Sequence, residues 1–527
     1  MTPFLQFRLW WRRGSSGDRL AAVLAGLVVL ALAGWILVPT TDDSEEDTAV
    51  AATGTAATGT EGTTAAGPGE TTGDTTAVAG DATATGDAGA TGGGTATATG
   101  GAATGGGGAV ATQSGGTAEK TCPAGDGAPG VTDKTISIAV ALLDLAGPIG
   151  NGAAGQAPAD SQQKMVEQLI KEINGRGGAG CRQLTAKFYK FNPIGADQGR
   201  AGCLEIIQSR PALVIDLGGF AFPQSAYNCV PQQKIPLITA SVVLASEITK
   251  FAPYLATPAP DLSTVMRDTA YGLRDRGFFD PAKGFKKLGL LYDECAPEVN
   301  KTLDEHLAKA GISGDKVSKY SFPCPPNGFA SPADMAQAVS QHRLAGVTHV
   351  IPLTGGGSFR PYTEAANGQG FKPRYAITDY QGNTVTATSN LRPNPDNFDR
   401  ALAMSPQKFG INTTPGFQLD AATKRCQATA QKAGLSPEII FQGAGGSCSM
   451  MTVAEAALNK ATSLAPASIL PGLFTAGLLE MAYSYSDVTY KAPNKLGGGD
   501  TYAPIEWHKE CTCWRILEAK RSPSFPA

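Results

Sequence analysis

Between Val38 and Ile136 the sequence has no leucine, isoleucine, methionine or aromatic residue. A stretch so poor in large apolar side chains cannot bury a core, so no folded domain is expected there. Basic residues are missing over nearly the same span, since no Lys or Arg follows Arg19 until Lys120. Histidine is scarce, with 4 in 527 residues, and no Cys-x-x-Cys pair occurs. None of His306, His342, His349 and His508 is paired in sequence with a nucleophile or metal partner, which argues against hydrolytic and metal catalysis. A net charge of −3 and a pI near 5.9 argue against a nucleic-acid partner.

What is present falls into three unlike segments. Leu20 to Val38 is uncharged and apolar, just long enough to cross a bilayer as a helix. Arg8, Arg12, Arg13 and Arg19 precede it, and Asp42, Asp43, Glu45, Glu46 and Asp47 follow. The positive-inside bias then makes residues 1–19 a cytoplasmic tail and puts everything after Val38 outside. Ala31-Leu32-Ala33 is a small-x-small cleavage pattern, but apolarity continues through Trp35-Ile36-Leu37-Val38, so an uncleaved signal anchor is expected. Residues 39–120 are Ala, Gly and Thr with scattered acids, a disordered linker whose roughly 80 residues would span about 50 Å. The location expected for residues 121–527 is extracytoplasmic, tethered to the cell membrane by one pass.

Within residues 121–527 strands and helices alternate. Ile136–Leu142 is a short apolar run, as are Leu184–Phe191, Ala212–Leu217 and Ile235–Thr239. Helical patterns over Asp160–Asn174 and Ala196–Ser209 separate them. A helix starts near Asp261, and the alternation restarts with strands at Lys286–Tyr292, Val347–Leu353 and Arg374–Thr378. This is the pattern of α/β lobes built on parallel sheets covered on both faces. Two runs imply two doubly wound lobes, one over about 133–257 and one over about 258–381, with a hinge and a cleft between them. Ligands of such sheets sit beyond the carboxyl ends of the strands.

All 10 cysteines lie in this part, and an even number outside the membrane reads as disulfides. In parallel lobes Cys122 and Cys181 both stand just before a strand at one sheet edge, and Cys295 and Cys324 both follow strands. Cys203 and Cys229 fall on successive helices, and Cys426 and Cys448 close a helix–helix loop. That leaves Cys511 and Cys513, whose bridge would be strained within a strand. The same pair beside His508 lacks a fourth metal ligand. Gly445-Gly446-Ser447-Cys448 fails as a nucleophile elbow, and Gly355-Gly356-Gly357-Ser358 lacks the phosphate-binding lysine. Neither an enzyme nor a cofactor is expected.

The segments ISIAVALLDLAGPIGNGAAG, INGRGGAGCRQL, VIDLGGFAF, IPLITAS, KKLGLLYDE, VTHVIPLTGGG and GFKPRYAITDYQGN fall in order along the chain. Together they resemble the leucine/isoleucine/valine-binding proteins, the type I periplasmic-binding fold that serves ABC transporters, over about residues 133–385. The resemblance implies a hinged trap that closes on a small solute, an amino acid or related compound, and presents it to a permease. It further implies three crossings between lobes, with part of 382–480 returning to the first lobe and C-terminal strands to the second. The ligand positions it implies are Gly219 and Phe220, then Ser241 and Val243, where amino-acid binders usually carry a Thr in place of Val243. In the second lobe it is Asp379, matching the acid that meets a ligand ammonium; Tyr380, like Phe220, is a candidate cleft wall or a half-buried loop aromatic. An anchored sensor domain, or a wall-associated protein without transport, is the alternative role.

Overall fold

The computed structural model describes residues 122–526 apart from 126, 193–195, 219–224, 324–329, 483–485 and 494. The expected anchor and linker, Gly219, Phe220 and Cys324 lie outside the described residues. Among the described residues no helix is long and apolar enough to cross a membrane.

The first sheet comprises β1 (Thr135–Leu143), β2 (Gln183–Phe191), β3 (Leu213–Asp216), β4 (Leu237–Thr239) and β5 (Leu255–Ala256), ordered β2-β1-β3-β4-β5. All its pairings are parallel; Val214, for instance, lies between Ala139 and Leu237. A central parallel strand is covered on both faces, which is why β1 runs apolar without a break from Ile138 to Leu143. The helix Ala159–Gly175 turns Met165, Val166, Ile170 and Ile173 inward at helical spacing. It is followed by Gly178 at φ +79, where a Cβ would meet the Arg182 carbonyl oxygen at 1.9 Å, so only glycine admits the turn into β2.

The second sheet repeats that order. β6 (Leu288–Asp293), β7 (Val317–Phe322), β8 (His349–Leu353), β9 (Arg374–Ile377) and β10 (Leu402–Ser405) run β7-β6-β8-β9-β10, all parallel. The sheet then continues with antiparallel β11 (Thr501–His508) and β12 (Cys513–Ile516), and β13 (Ser522–Pro523) also pairs with β11. Successive residues of its strands enter different cores. Leu290, Tyr292, Ile351, Leu353 and Met404 belong to one, and Leu291, Val350, Tyr375, Ile377 and Ala403 to the other. The period-2 geometry of strands thus buries both faces.

The lobes share the chain unequally. It leaves the first sheet at Ala256, yet Met450, Leu458, Leu464, Leu473, Val488 and Leu496 pack with that sheet's core before β11 joins the second sheet. The helix Ala444–Lys460 carries Ser447, 1% exposed, in its first turns.

Four disulfides link described cysteines: Cys122–Cys181, Cys203–Cys229, Cys426–Cys448 and Cys511–Cys513. Cys295 is also disulfide-bonded. The strain expected for Cys511–Cys513 assumed an extended strand. Instead, Cys511 and Thr512 form the turn between β11 and β12, with Thr512 at φ 51, and the two cysteine Cα atoms are 5.1 Å apart.

Candidate functional site

Both parallel sheets change direction of winding at their first strand, and the crevice outside the carboxyl ends there is the natural ligand position. On the first lobe, buried Asn151 and Gln162 fix the loop after β1. Their amide groups donate to the Leu143 carbonyl at 2.9 and 3.0 Å and both donate to the Ala157 carbonyl at 2.8 Å. After β3, Asp216 accepts from the Thr239 hydroxyl at 2.7 Å and the Gly218 N–H at 2.9 Å. After β4, the Ser241 N–H donates to Thr239 Oγ1 at 3.1 Å. The Ser241 hydroxyl oxygen is sealed from solvent and has no hydrogen-bond partner among the described residues. Val243 is fully buried in the first lobe's core, and its carbonyl accepts from Leu262 N–H at 2.8 Å. Half-buried Val242 touches the cores of both lobes.

On the second lobe, Asp379 follows β9 and is 2% exposed. One carboxylate oxygen accepts from the Thr384 hydroxyl, the other from the Ser405 hydroxyl at 2.7 Å. Burial pushes this carboxyl up to about 6, against the two hydroxyls and the Arg521 charge. Expected to meet a ligand ammonium, Asp379 is bound into its own lobe here. Tyr380 is likewise buried, its hydroxyl accepting from the Gln381 amide at 3.2 Å. Beside them, the Asn383 amide donates to the Thr354 carbonyl at 2.8 Å, which leaves Thr354 Oγ1 and Asn383 Oδ1 buried and unpartnered among the described residues. Asp293, at the end of β6, accepts from the Cys295 N–H at 2.8 Å, and burial raises its carboxyl.

Two crossings between lobes lie against each other. Thr257 N–H donates to the Leu496 carbonyl, and Gly498 N–H donates to the Thr257 carbonyl, both at 2.9 Å. The Thr257 hydroxyl donates to the Ser241 carbonyl and accepts from Ala259 N–H, each at 3.1 Å, tying these crossings to the strand-end loop. Arg521 fastens the neighbouring chain. Its guanidinium donates to the carbonyls of Ser405, Pro406, Gln407 and Thr501, and burial pushes it down to about 10.

Thr354 precedes the glycine loop that stood out in the sequence, and Asn383 lies in the TDYQGN match, so both had a signal. Thr257 and Arg521 had none, because their partners are distant along the chain. Two of the histidines serve packing. His342 Nδ1 lies 2.8 Å from the Tyr362 hydroxyl, His349 stands edge-on to Phe278 and Phe285, and burial pushes both rings down to about 4. His508 sits between Arg400 and Glu510. Among the described residues no cluster of His, Cys, Asp or Glu could hold a metal ion. A groove of about 410 Å³ lies elsewhere, over Leu169, Ile173, Met451 and the Cys426–Cys448 bridge, on helices rather than strand ends.

No protein-family model and no curated protein matches the chain. Solved structures do. The fatty acid ABC transporter substrate-binding protein from Thermomonospora curvata superposes with a TM-score of 0.52 at 16% identity, over 75% of this chain and 94% of that one. The solute-binding protein of an ABC transporter from R. palustris, in complex with 4-hydroxybenzoate, gives 0.54 at 13% identity over 75% and 98%. The branched-chain amino acid transporter substrate-binding protein LivJ from Streptococcus pneumoniae, in complex with isoleucine, gives 0.53 at 14% over 74% and 100%. At such identities the likeness is one of fold. The chain has the α/β fold with parallel sheets of ABC transporter substrate-binding proteins, of the leucine/isoleucine/valine-binding, type I periplasmic kind.

Proposed function

We propose that the chain is an extracytoplasmic solute-binding protein, held at the cell membrane by Leu20–Val38, that closes two hinged lobes on a small polar solute for an ABC permease. The observation that carries this reading is the set of sealed, unpartnered polar atoms at strand ends: Ser241 Oγ on one lobe, Thr354 Oγ1 and Asn383 Oδ1 on the other. Buried polar atoms are rarely left without a partner, and a bound solute would supply one. The paired crossings at Thr257 and Leu496–Gly498 would act as the hinge, absorbing the rotation between lobes in a few residues. Of the expected contacts, Ser241 is the first-lobe contact and Val243 supports the loop from behind. Asp379 positions Thr384 and Ser405, while Gly219, Phe220 and Tyr380 remain cleft-wall candidates.

The tether and the capture have separate tests. Protease added to intact cells should release a fragment beginning within residues 39–120; release of a chain beginning at Gly34 would contradict the anchor. A thermal-unfolding screen of the full chain against metabolites should find a stabilising solute, since 100 times the dissociation constant adds about 2.7 kcal/mol. A screen in which every small polar solute leaves unfolding unchanged would contradict the capture.

A further inference from the structure

We propose that the Cys511–Cys513 bridge is a thiol–disulfide exchange site, opened by a dithiol and re-formed without loss of the fold. It differs from the other described bridges in what it holds. Cys122–Cys181, Cys203–Cys229 and Cys426–Cys448 join cysteines 59, 26 and 22 positions apart, while Cys511 and Cys513 are 2 apart. A bridge stabilises mainly by closing a loop in the unfolded chain, so the shortest contributes least. The hairpin around it has other fastenings. His508 faces Cys513 in the β11–β12 ladder, and Trp507 faces Trp514 one step further on. Both indoles are fully buried, and their Nε1 groups donate to the Ala387 carbonyl at 2.9 Å and the Thr384 carbonyl at 2.8 Å. The hairpin therefore stays seated when the bridge opens, and it keeps the two thiols near enough to join again. Opening Cys122–Cys181, where Cys122 is also exposed, would instead unfasten the first described residues from the turn into β2.

The bridge is reachable, and the turn that carries it is strained. Cys511 is exposed and Cys513 is buried, whereas Cys426 and Cys448 are both buried. Thr512 stands between the two cysteines at φ 51, in the left-handed region that β-branched residues avoid, and opening the bridge lets it relax. Exposed and strained bridges are the labile ones.

Exchange runs in two displacements. A thiolate of the dithiol attacks the exposed Cys511 Sγ; the Cys511–Cys513 bond breaks, and its electron pair leaves on the Cys513 sulfur, which takes up a proton. The donor's second thiolate then attacks the donor sulfur of the mixed disulfide and releases Cys511 as a thiolate, which is protonated in turn. The donor departs as a disulfide, oxidised by two electrons, and both cysteines are left as thiols. The Cys511 thiol then has an acceptor in place, since its Sγ lies 3.7 Å from the His508 carbonyl oxygen. The Cys513 thiol stays buried, as a small apolar group can.

The test titrates the full-length chain in detergent with dithiothreitol, and separately with reduced thioredoxin as a protein dithiol, then alkylates with iodoacetamide and maps the peptides by mass. Cys511 and Cys513 should be alkylated at no more than about a tenth of the dithiothreitol that opens Cys426–Cys448. Thermal unfolding of the chain so reduced should stay cooperative, and oxidised glutathione should restore the bridge. Reduction by dithiothreitol but not by thioredoxin upholds the site and confines its donors to small dithiols. The variant carrying both Cys511→Ala and Cys513→Ala should unfold as cooperatively as the parent. Alkylation of all four cysteines at the same dithiothreitol concentration, or loss of cooperative unfolding in the reduced chain or the variant, would make the bridge a structural staple and overturn the proposal.

Discussion

Substituting Gly499 by alanine tests the hinge at its tightest point. A Cβ there would lie 2.6 Å from Pro260 Cδ, 2.8 Å from its Cγ and 2.9 Å from its N. Ordinary contact starts near 3.4 Å, and the proline ring has no rotamer to swing aside. The crossings themselves must part, stretching the bonds that join Thr257 to Leu496 and Gly498. Overpacking of this kind costs about 1–3 kcal/mol. Gly368 is the matched control: it ends a helix, and nothing lies within 4 Å of its added Cβ. Gly368→Ala should be neutral or stabilising by up to about 1 kcal/mol, following helix propensity. Urea unfolding of the two variants and the parent reads both numbers. If Gly499→Ala is as stable as the parent, or Gly368→Ala loses as much, the close approach of the crossings is refuted.

Thr257→Val removes the hydroxyl that serves Ser241 and Ala259, leaving a buried carbonyl and a buried N–H unmet; a loss of about 1–3 kcal/mol in urea unfolding is expected, and a loss below about 0.5 would show those groups find other partners. Two opposed pairs contribute to the dependence of stability on pH between about pH 4 and 6. Asp268 and Asp379 are raised by burial to about 6, so their contribution is full below the ordinary 3.8 and lost as pH rises through 6. His342 and His349 are lowered by burial to about 4, so theirs is present above 6.5 and lost as pH falls through 4. Asp379→Asn should therefore make the slope of stability against pH more positive than the parent's over this window, by up to about 1 kcal/mol per unit, and an unchanged slope would show that Asp379 is not raised.

The first half of each lobe was legible because local rules decide it. The expected strand Ile136–Leu142 appears as Thr135–Leu143, and Asp261 caps its helix by accepting the Thr264 N–H at 3.0 Å. Cys203–Cys229 and Cys426–Cys448 followed from helix order alone. β5, two residues long, is too short for a hydrophobic period to register, and β10, four residues long, was not singled out in the sequence. The antiparallel β11–β12 hairpin breaks the strand–helix alternation that the rest obeys. At the site, position was readable and environment was not. Asp379 could be placed after a strand, but its partner Ser405 lies 26 residues on, and Arg521 stands among the last residues of the chain.

Capture between lobes is tested most directly by equilibrium titration of a stabilising solute into the parent chain and into Ser241→Tyr, with thermal unfolding measured on both. The phenol ring would fill the first-lobe strand end where the Ser241 hydroxyl has no partner. One solute per parent chain is predicted, with binding lost in Ser241→Tyr while the variant still unfolds in one cooperative transition, at a temperature lowered by the overpacking. Equal affinity in the folded variant would place the solute elsewhere and contradict capture at these strand ends.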